Sequence, residues 1–375
     1  MKYYIIAGEA SGDLHGSKLI NAILKNDPAA KIRAWGGEKM EEAGAEIIKH
    51  YRDLAFMGFT EVVSNISTIL SNMKFCKKDI CRFMPDVVIF IDYPGFNLPV
   101  AKFVKSKGFK TVYYISPQIW AWKEKRIHTI KKVIDKMMVI LPFEKTFYEK
   151  WEYSVEYVGH PLIEIIDQYQ KSLDKQMVST ALGLDKEKKI IALLPGSRKQ
   201  EIAKKLPIML ESSSDFPEAI FAVAQAPGIG DEFIASFTDK YTNVKVIKNK
   251  TYDLLSIADA ALVTSGTATL ETALFRVPEI VCYKGSPISY AIAKQLIKVK
   301  YISLVNLIMD QAIVKELIQH ELTVTNIKHE LSELLYNEDR KNKYKEDTNR
   351  LYELLSAGGK ASEKAAAIIH QLAKG

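Results

Sequence analysis

Two stretches of this chain place small residues where an apolar strand hands over to a helix. One is Ile190-Ile-Ala-Leu-Leu194 running into Pro195-Gly196-Ser197-Arg198; the other is Ala260-Ala-Leu-Val263 running into Thr264-Ser265-Gly266-Thr267-Ala268-Thr269-Leu270-Glu271. At such a junction backbone N–H groups can close around a phosphate. Two phosphate loops in one half of the chain imply a diphosphate ligand there, the mark of a sugar-nucleotide site. A third junction, Gly8-Glu-Ala-Ser-Gly-Asp-Leu-His-Gly16, ends the first strand. Its glycines are spaced too widely for a dinucleotide fingerprint, and the second strand, ending Trp35-Gly-Gly37, carries no clear acidic residue at its end. Nicotinamide chemistry is thereby disfavoured. Ser11, Asp13 and His15, with Gly12 between, could hydrogen-bond a polar substrate, or Ser11 or Asp13 could simply cap the next helix.

These junctions need a scaffold, and the pattern supplies one. Strands are expected near 3–7, 31–35, 87–91, 111–115 and 137–140, with helices near 13–25, 60–83, 98–107 and 124–134. The rhythm breaks at Val158-Gly-His-Pro-Leu162 and resumes with strands near 190–194, 219–224, 244–247, 260–263 and 280–283. Continuous apolar strands separated by helices imply an α/β fold of parallel sheets covered on both faces. The reading is two doubly wound, Rossmann-like domains, 1–160 and 161–345, facing a cleft, with a helical tail at 346–375 whose packing back on the first domain is left open. Ligands of such sheets bind at the carboxyl ends of the strands, where every loop singled out here falls.

Composition narrows the class. The 375 residues carry a formal charge of +7, with 26% charged and 47% apolar residues, an ordinary globular balance. Three cysteines make neither a disulfide framework nor a zinc quartet and fit a reducing compartment. The start is too short and too quickly interrupted for a secretory signal, and no apolar run is long enough to span a bilayer. A cytoplasmic protein, or one resting on a membrane from that side, is expected.

Taken together, Gly8 to Gly16, Met57-Gly58 with Glu61-Val62, Ile91-Asp-Tyr-Pro-Gly-Phe-Asn97, Ser116-Pro-Gln-Ile-Trp-Ala-Trp122, Leu141-Pro-Phe-Glu144, Val158-Gly-His-Pro-Leu162, Leu194-Pro-Gly-Ser-Arg198 and Thr264 to Glu271 resemble the lipid A disaccharide synthase family. The resemblance runs in order over most of the chain and stops in the tail. It implies a GT-B glycosyltransferase that moves 2,3-diacylglucosamine from UDP to 2,3-diacylglucosamine 1-phosphate with inversion, giving a β-1,6 disaccharide and UDP. The N-terminal half would hold the acceptor and the C-terminal half the donor.

Inversion in one step needs a base on the acceptor hydroxyl and stabilisation of the leaving UDP. Asp92, ending an apolar strand, is the candidate base, with a structural cap as its alternative; Ser11, Gly12, Asp13 and His15 are candidates for acceptor or sugar contact. On the donor side the candidates are Gly196, Ser197, Arg198, Ser265, Gly266, Thr267, Ala268, Thr269, Glu271 and Asn306. Arg198 offers forked donors to a phosphate. Glu271 would hold ribose hydroxyls, or serve only as a first-turn acid on the helix dipole. No metal motif and no cofactor are expected. The family's Ser-Leu-Pro-Asn and Gly-Arg-Glu segments read Ser303-Leu-Val-Asn306 and Asp310-Gln-Ala312 here, so the Arg–Glu pair has no counterpart.

Lipid substrates imply peripheral contact with an anionic membrane, on the cytoplasmic face of the inner membrane. Apolar residues from Leu54 through Phe59, Val62, Val63, Ile66, Ile69, Leu70 and Met73, followed by Lys74, Lys77, Lys78 and Arg82, suit that role, or form an ordinary core-facing stripe. Most lysines of the first half, including Lys123 and Lys125 beside Arg126, read as solvated faces, a minority as contacts for the acceptor's phosphate. Nucleic acid is a poor partner. A homodimer is left open. The competing readings are a muramyl-peptide glycosyltransferase, a UDP-GlcNAc 2-epimerase, or a non-catalytic nucleotide-binding or scaffold protein.

Overall fold

The computed structural model describes residues 1–54, 66–286, 290 and 299–375. Met57-Gly58, Glu61-Val62 and most of the apolar stretch between Leu54 and Val63 therefore lie outside the described residues. The chain forms two compact units, one of Met1–Pro161 with Leu355–Gly375, the other of Leu162–Leu354.

The first unit is built on a parallel sheet of seven strands: β1 Lys2–Ala7, β2 Lys31–Gly36, β3 Glu46–His50, β4 Val87–Ile91, β5 Lys110–Tyr114, β6 Lys136–Val139 and β7 Glu156–Tyr157, in the order β3-β2-β1-β4-β5-β6-β7. Alternation divides β1 between the two faces. Tyr3, Ile5 and Ala7 pack with Leu19, Ile20 and Ile23 of helix Ala10–Asn26, and with Ala361, Ala365, Ala366 and Ile369 of helix Ala361–Lys374. Tyr4 and Ile6 face the other way, into Trp35, Phe90 and Tyr113. Full burial of such side chains contributes about 1.5–3 kcal/mol each. The polar tips inside that second layer are paired: Trp35 Nε1 donates to the Tyr4 hydroxyl at 2.9 Å, which donates to Asp79 at 2.9 Å.

The second unit repeats the plan with six parallel strands: β8 Ile190–Leu194, β9 Ile220–Gln225, β10 Val244–Lys248, β11 Ala260–Thr264, β12 Glu279–Tyr283 and β13 Lys315–Ile318, in the order β10-β9-β8-β11-β12-β13. The expected strands are present; β3, β7 and β13, at or next to the sheet edges, are additions. The tail region is divided: helix Glu338–Ser356 belongs to the second unit through Leu354, while Ala361–Lys374 packs on helix Ala10–Asn26 of the first.

In each sheet the strand order reverses at one place, between β1 and β4 and between β8 and β11. There the chain leaves neighbouring strands in opposite directions, so a crevice opens at their carboxyl ends. The phosphate loops and Asp92 stand at these two crevices.

Candidate active site

Asp92 follows directly on β4, whose Ile91 pairs with Ala7 of β1. The backbone there is left-handed at two successive non-glycine residues, Asp92 (φ 42°) and Tyr93 (φ 49°), and again at Ile115 (φ 66°) across from them. Such conformations cost on the order of 1–3 kcal/mol each and persist only where the surroundings enforce them. Here Tyr113 Oη donates to the Asp92 carbonyl at 2.5 Å and Asn97 Nδ2 donates to it at 2.7 Å, while Asp92 N–H reaches the Ile115 carbonyl at 3.3 Å. The Tyr93 ring lies over Gly8, where a Cβ would come within 2.4 Å of it. Only glycine allows that approach, which sets the end of β1 against the Asp92 turn.

As a whole residue Asp92 remains more than a third exposed. Desolvation by the surrounding protein, then the Glu9 carboxylate, push its carboxyl up to about 7. Water still reaches the group, so desolvation acts more weakly than on an enclosed acid, and the neighbouring charge matters correspondingly more. Glu9 itself precedes helix Ala10–Asn26.

The other candidates of this unit turn inward. Asp13 is buried, and its carboxylate accepts the backbone N–H groups of Gly37 (2.7 Å), Met40 (3.1 Å) and Lys39 (3.2 Å). It caps the short helix Glu38–Glu42 and presents nothing to a substrate. His15 is buried as well; burial lowers its imidazole to about 4, and its Nδ1 has no partner among the described residues. Gly12 is packed against Ala7, leaving Ser11 exposed at the start of the helix. The expected glycine loop is thus mostly helix, because Gly12 and Gly16 permit close contact with Ala7 and Met40.

Beyond β5, the segment Ser116 to Trp122 is held by Glu144. This buried carboxyl accepts Leu141 N–H (3.0 Å), Ile140 N–H (3.2 Å) and Trp120 Nε1–H (3.3 Å). Ser116 Oγ meets the Tyr148 hydroxyl at 2.7 Å. Burial pushes Glu144 up to about 7. Glu9, Asn97, Tyr113 and Glu144 act around Asp92 and the tryptophan segment though none of them was assigned a role from the sequence; for Glu144, a carboxylate three residues after Leu141 at a helix start was the available signal.

In the second unit a cavity of about 330 Å³ lies at the ends of β8 and β11, lined by Gly196, Ser197, Thr264, Ser265, Gly266, Thr267, Ala268 and Glu271 among others. Gly196 (φ 115°) and Gly266 (φ 153°) adopt backbone conformations that side chains resist. Helix Thr267–Leu274 starts at this cavity, so its first N–H groups and dipole favour an anion. Glu271 accepts the Tyr252 hydroxyl at 2.8 Å, and burial raises its carboxyl. The buried Thr264 Oγ1 has no hydrogen-bond partner among the described residues and borders the same space.

Two donor candidates, Thr269 and Asn306, are placed otherwise, and Arg198 follows Ser197 of the lining. Thr269 is buried, with its N–H (3.2 Å) and hydroxyl (2.9 Å) both bonded to the Gly266 carbonyl. Asn306 is buried and spent: Nδ2 donates to the Val314 carbonyl and to Glu316, and Oδ1 accepts Ile313 and Val314 N–H. It pins a loop. Arg198 stands exposed at the start of helix Lys199–Glu211, its Nη1 3.4 Å from Glu201.

With this geometry in hand, comparisons place the chain. A family model described as lipid-A-disaccharide synthetase matches residues 3–370. The chain is 40% identical to the lipid-A-disaccharide synthase of Syntrophus aciditrophicus, covering 99% of this chain and 97% of that protein. It is 38% identical to the enzyme of that name from Coxiella burnetii, covering 98% and 97%. Among solved structures it is similar in fold to a UDP-GlcNAc 2-epimerase from Neisseria meningitidis bound to UDP-GlcNAc (TM-score 0.69, 14% identity, 100% of each chain). A glycosyltransferase of kitacinnamycin is similar too (TM-score 0.66, 12% identity, 99% of this chain and 98% of that one).

Proposed function

Since the chain belongs to the lipid-A-disaccharide synthetase family, we propose that Asp92 is the base of its reaction and that the cavity at β8 and β11 holds the UDP of the donor. The enzyme moves 2,3-diacylglucosamine from UDP to the 6-hydroxyl of 2,3-diacylglucosamine 1-phosphate. The carboxylate of Asp92 takes the hydroxyl proton as the oxygen attacks the anomeric carbon, and the bond to UDP breaks from the opposite face. No covalent intermediate is needed, and the product is the β-anomer.

The observation that carries this reading is the setting of Asp92: a carboxyl at a strand's end, on a backbone held left-handed by Tyr113 and Asn97, and poised near neutrality. A base with a pKa near the working pH combines a useful deprotonated fraction with good proton affinity. Leaving-group charge falls on the start of helix Thr267–Leu274, on the Gly196 loop and on Arg198; Glu271 faces the same space for ribose. Ser11 remains as a polar contact for the acceptor.

Among the described residues no helix is long and apolar enough to cross a membrane. Helix Ile66–Phe83 exposes Ile66 (57%) and Leu70 (59%), one turn apart, and Lys74 and Lys78 continue the same line in the open. This supports peripheral contact with an anionic surface, and the proposed surface is the cytoplasmic face of the inner membrane. Replacing Ile66 and Leu70 by serine should reduce sedimentation with phosphatidylglycerol vesicles; unchanged sedimentation removes this helix from the contact.

The direct test is release of UDP from UDP-2,3-diacylglucosamine, with and without 2,3-diacylglucosamine 1-phosphate. Wild type should release UDP only with acceptor, and Asp92→Asn should lose at least about a thousandfold in kcat while still binding UDP. An Asp92→Asn enzyme of undiminished kcat excludes Asp92 as the base.

A further inference from the structure

Between Trp122 and Ile127 the chain makes a 3-10 turn, Glu124–Arg126, in which Arg126 N–H donates to the Lys123 carbonyl at 2.9 Å. Residues three apart eclipse in such a turn, so the Lys123 and Arg126 side chains leave it on one side. The Trp122 indole, itself 52% exposed, gathers both. Lys123 Nζ lies 4.1 Å from its ring centroid and Arg126 Cζ 5.9 Å.

Some cations of this unit are balanced by acids, as Arg33 is by Glu46 and Asp79 and Lys105 by Asp135. Among the described residues neither Lys123 nor Arg126 forms an ion pair with a carboxylate. Two like charges stacked without a counter-ion repel, and an anion seated between them would reverse that cost. Desolvation, then the Arg126 charge, hold the Lys123 ammonium below its usual range; burial does the same to Arg126.

The position matters as much as the charge. The segment that carries both cations follows β5, the neighbour of β4 in the sheet, and Tyr113 of β5 donates to the Asp92 carbonyl. The cation pair and the candidate base therefore follow adjacent parallel strands, on the carboxyl-end side of one sheet. We propose that Lys123 and Arg126, backed by Trp122, bind the phosphate of the acceptor and so select a sugar 1-phosphate over a free sugar. The inference rests on the transferase reading above. In a glucosamine 1-phosphate the anomeric carbon and C5, which bears the 6-hydroxymethyl group, flank the same ring oxygen, so the two sites must be neighbours without coinciding. Arg126 offers a planar fork to two phosphate oxygens and Lys123 a point charge.

A membrane headgroup presents the same phosphate chemistry, and the test separates the two sources. Wild type and the Lys123→Gln, Arg126→Gln double variant are assayed in neutral detergent micelles with 2,3-diacylglucosamine 1-phosphate and with its dephosphorylated counterpart. The double variant should lose about a hundredfold in kcat/KM for the phosphorylated acceptor, with the donor KM unchanged and the dephosphorylated acceptor unaffected. Lys123→Arg should retain most of the selectivity. Equal losses for both acceptors, or no loss, overturn the inference while leaving the transferase intact. So does a double variant that keeps its selectivity but no longer sediments with phosphatidylglycerol vesicles, which assigns the pair to the bilayer. A wild type without acceptor-dependent UDP release sinks the transferase reading itself, and this inference with it.

Discussion

The Tyr113 hydroxyl donates to the backbone carbonyl of Asp92 at 2.5 Å, from a side chain that is otherwise wholly buried. The bond ties β5 to the turn after β4 and fixes where the carboxylate stands. Tyr113→Phe deletes it while keeping the ring in the core. Turnover should fall about tenfold, since Asn97 still holds the same carbonyl, with secondary structure by circular dichroism unchanged. Wild-type turnover in Tyr113→Phe excludes the positioning role.

Glu9 should set the acid limb of the pH profile. A base works deprotonated, so kcat/KM should rise with pH through the apparent pKa of the Asp92–Glu9 pair, near 7. Glu9→Gln removes the repelling charge and should shift that limb to lower pH. Coincident limbs in the two proteins would dissociate Glu9 from the base.

Glu279 is the opposite case, a carboxyl with no apparent task. At the start of β12 it is fully enclosed, neither oxygen has a hydrogen-bond partner among the described residues, and burial holds it well above the carboxylate range. A folded-state pKa above the unfolded one means that stability present at low pH is lost as pH rises. Glu279→Gln keeps the shape without the charge, so its Tm should exceed wild type at pH 8 and converge with it near pH 4. A lower Tm at pH 8 refutes a purely structural burden.

His15 and His160 titrate the other way. Burial lowers them to about 4 and about 3, against roughly 6.5 in an unfolded chain, and for His160 the charge on His15 adds to the effect. Their contribution is complete above pH 6.5 and is lost as pH falls through that window, because the unfolded chain takes up protons that the native one refuses. The decline of Tm between pH 6.5 and 4 should be shallower in His15→Gln than in wild type; parallel curves would contradict this.

Gly358 lies so close to Gly159 that a Cβ would come within 2.2 Å of the Gly159 nitrogen. Gly358→Ala should cost about 2 kcal/mol in chemical denaturation, from overpacking of backbone on backbone. A cost below a few tenths of a kcal/mol would mean that this crossing relaxes freely.

Much of this arrangement was legible because parallel strands buried on both faces are written as unbroken apolar runs. The run Val87 to Ile91 gives way at once to a carboxylate, and that abrupt change makes Asp92 a candidate from the sequence alone. Asp13 and Asn306 show the limit. A polar side chain serving buried backbone N–H groups has the same sequence appearance as one awaiting a ligand, since both needs select the same chemistry. The expected helix starts at Asp13 and the observed one at Ala10, because the low helix propensity of Gly12 is a local property whereas its packing against Ala7 is not. The strands β3, β7 and β13 are short or mixed in polarity, as strands at or near a sheet margin can be, and gave no period to detect.

The helix Ala361–Lys374 has a consequence for how this protein comes into being. Its apolar face completes the layer begun by Tyr3, Ile5 and Leu19, yet all of residues 162–354 are translated in between. On the ribosome the second unit can therefore close while the first still displays an uncovered greasy flank. The earliest strands wait longest for their cover, and a nascent chain stalled before Leu355 would offer chaperones and proteases a half-dressed first unit.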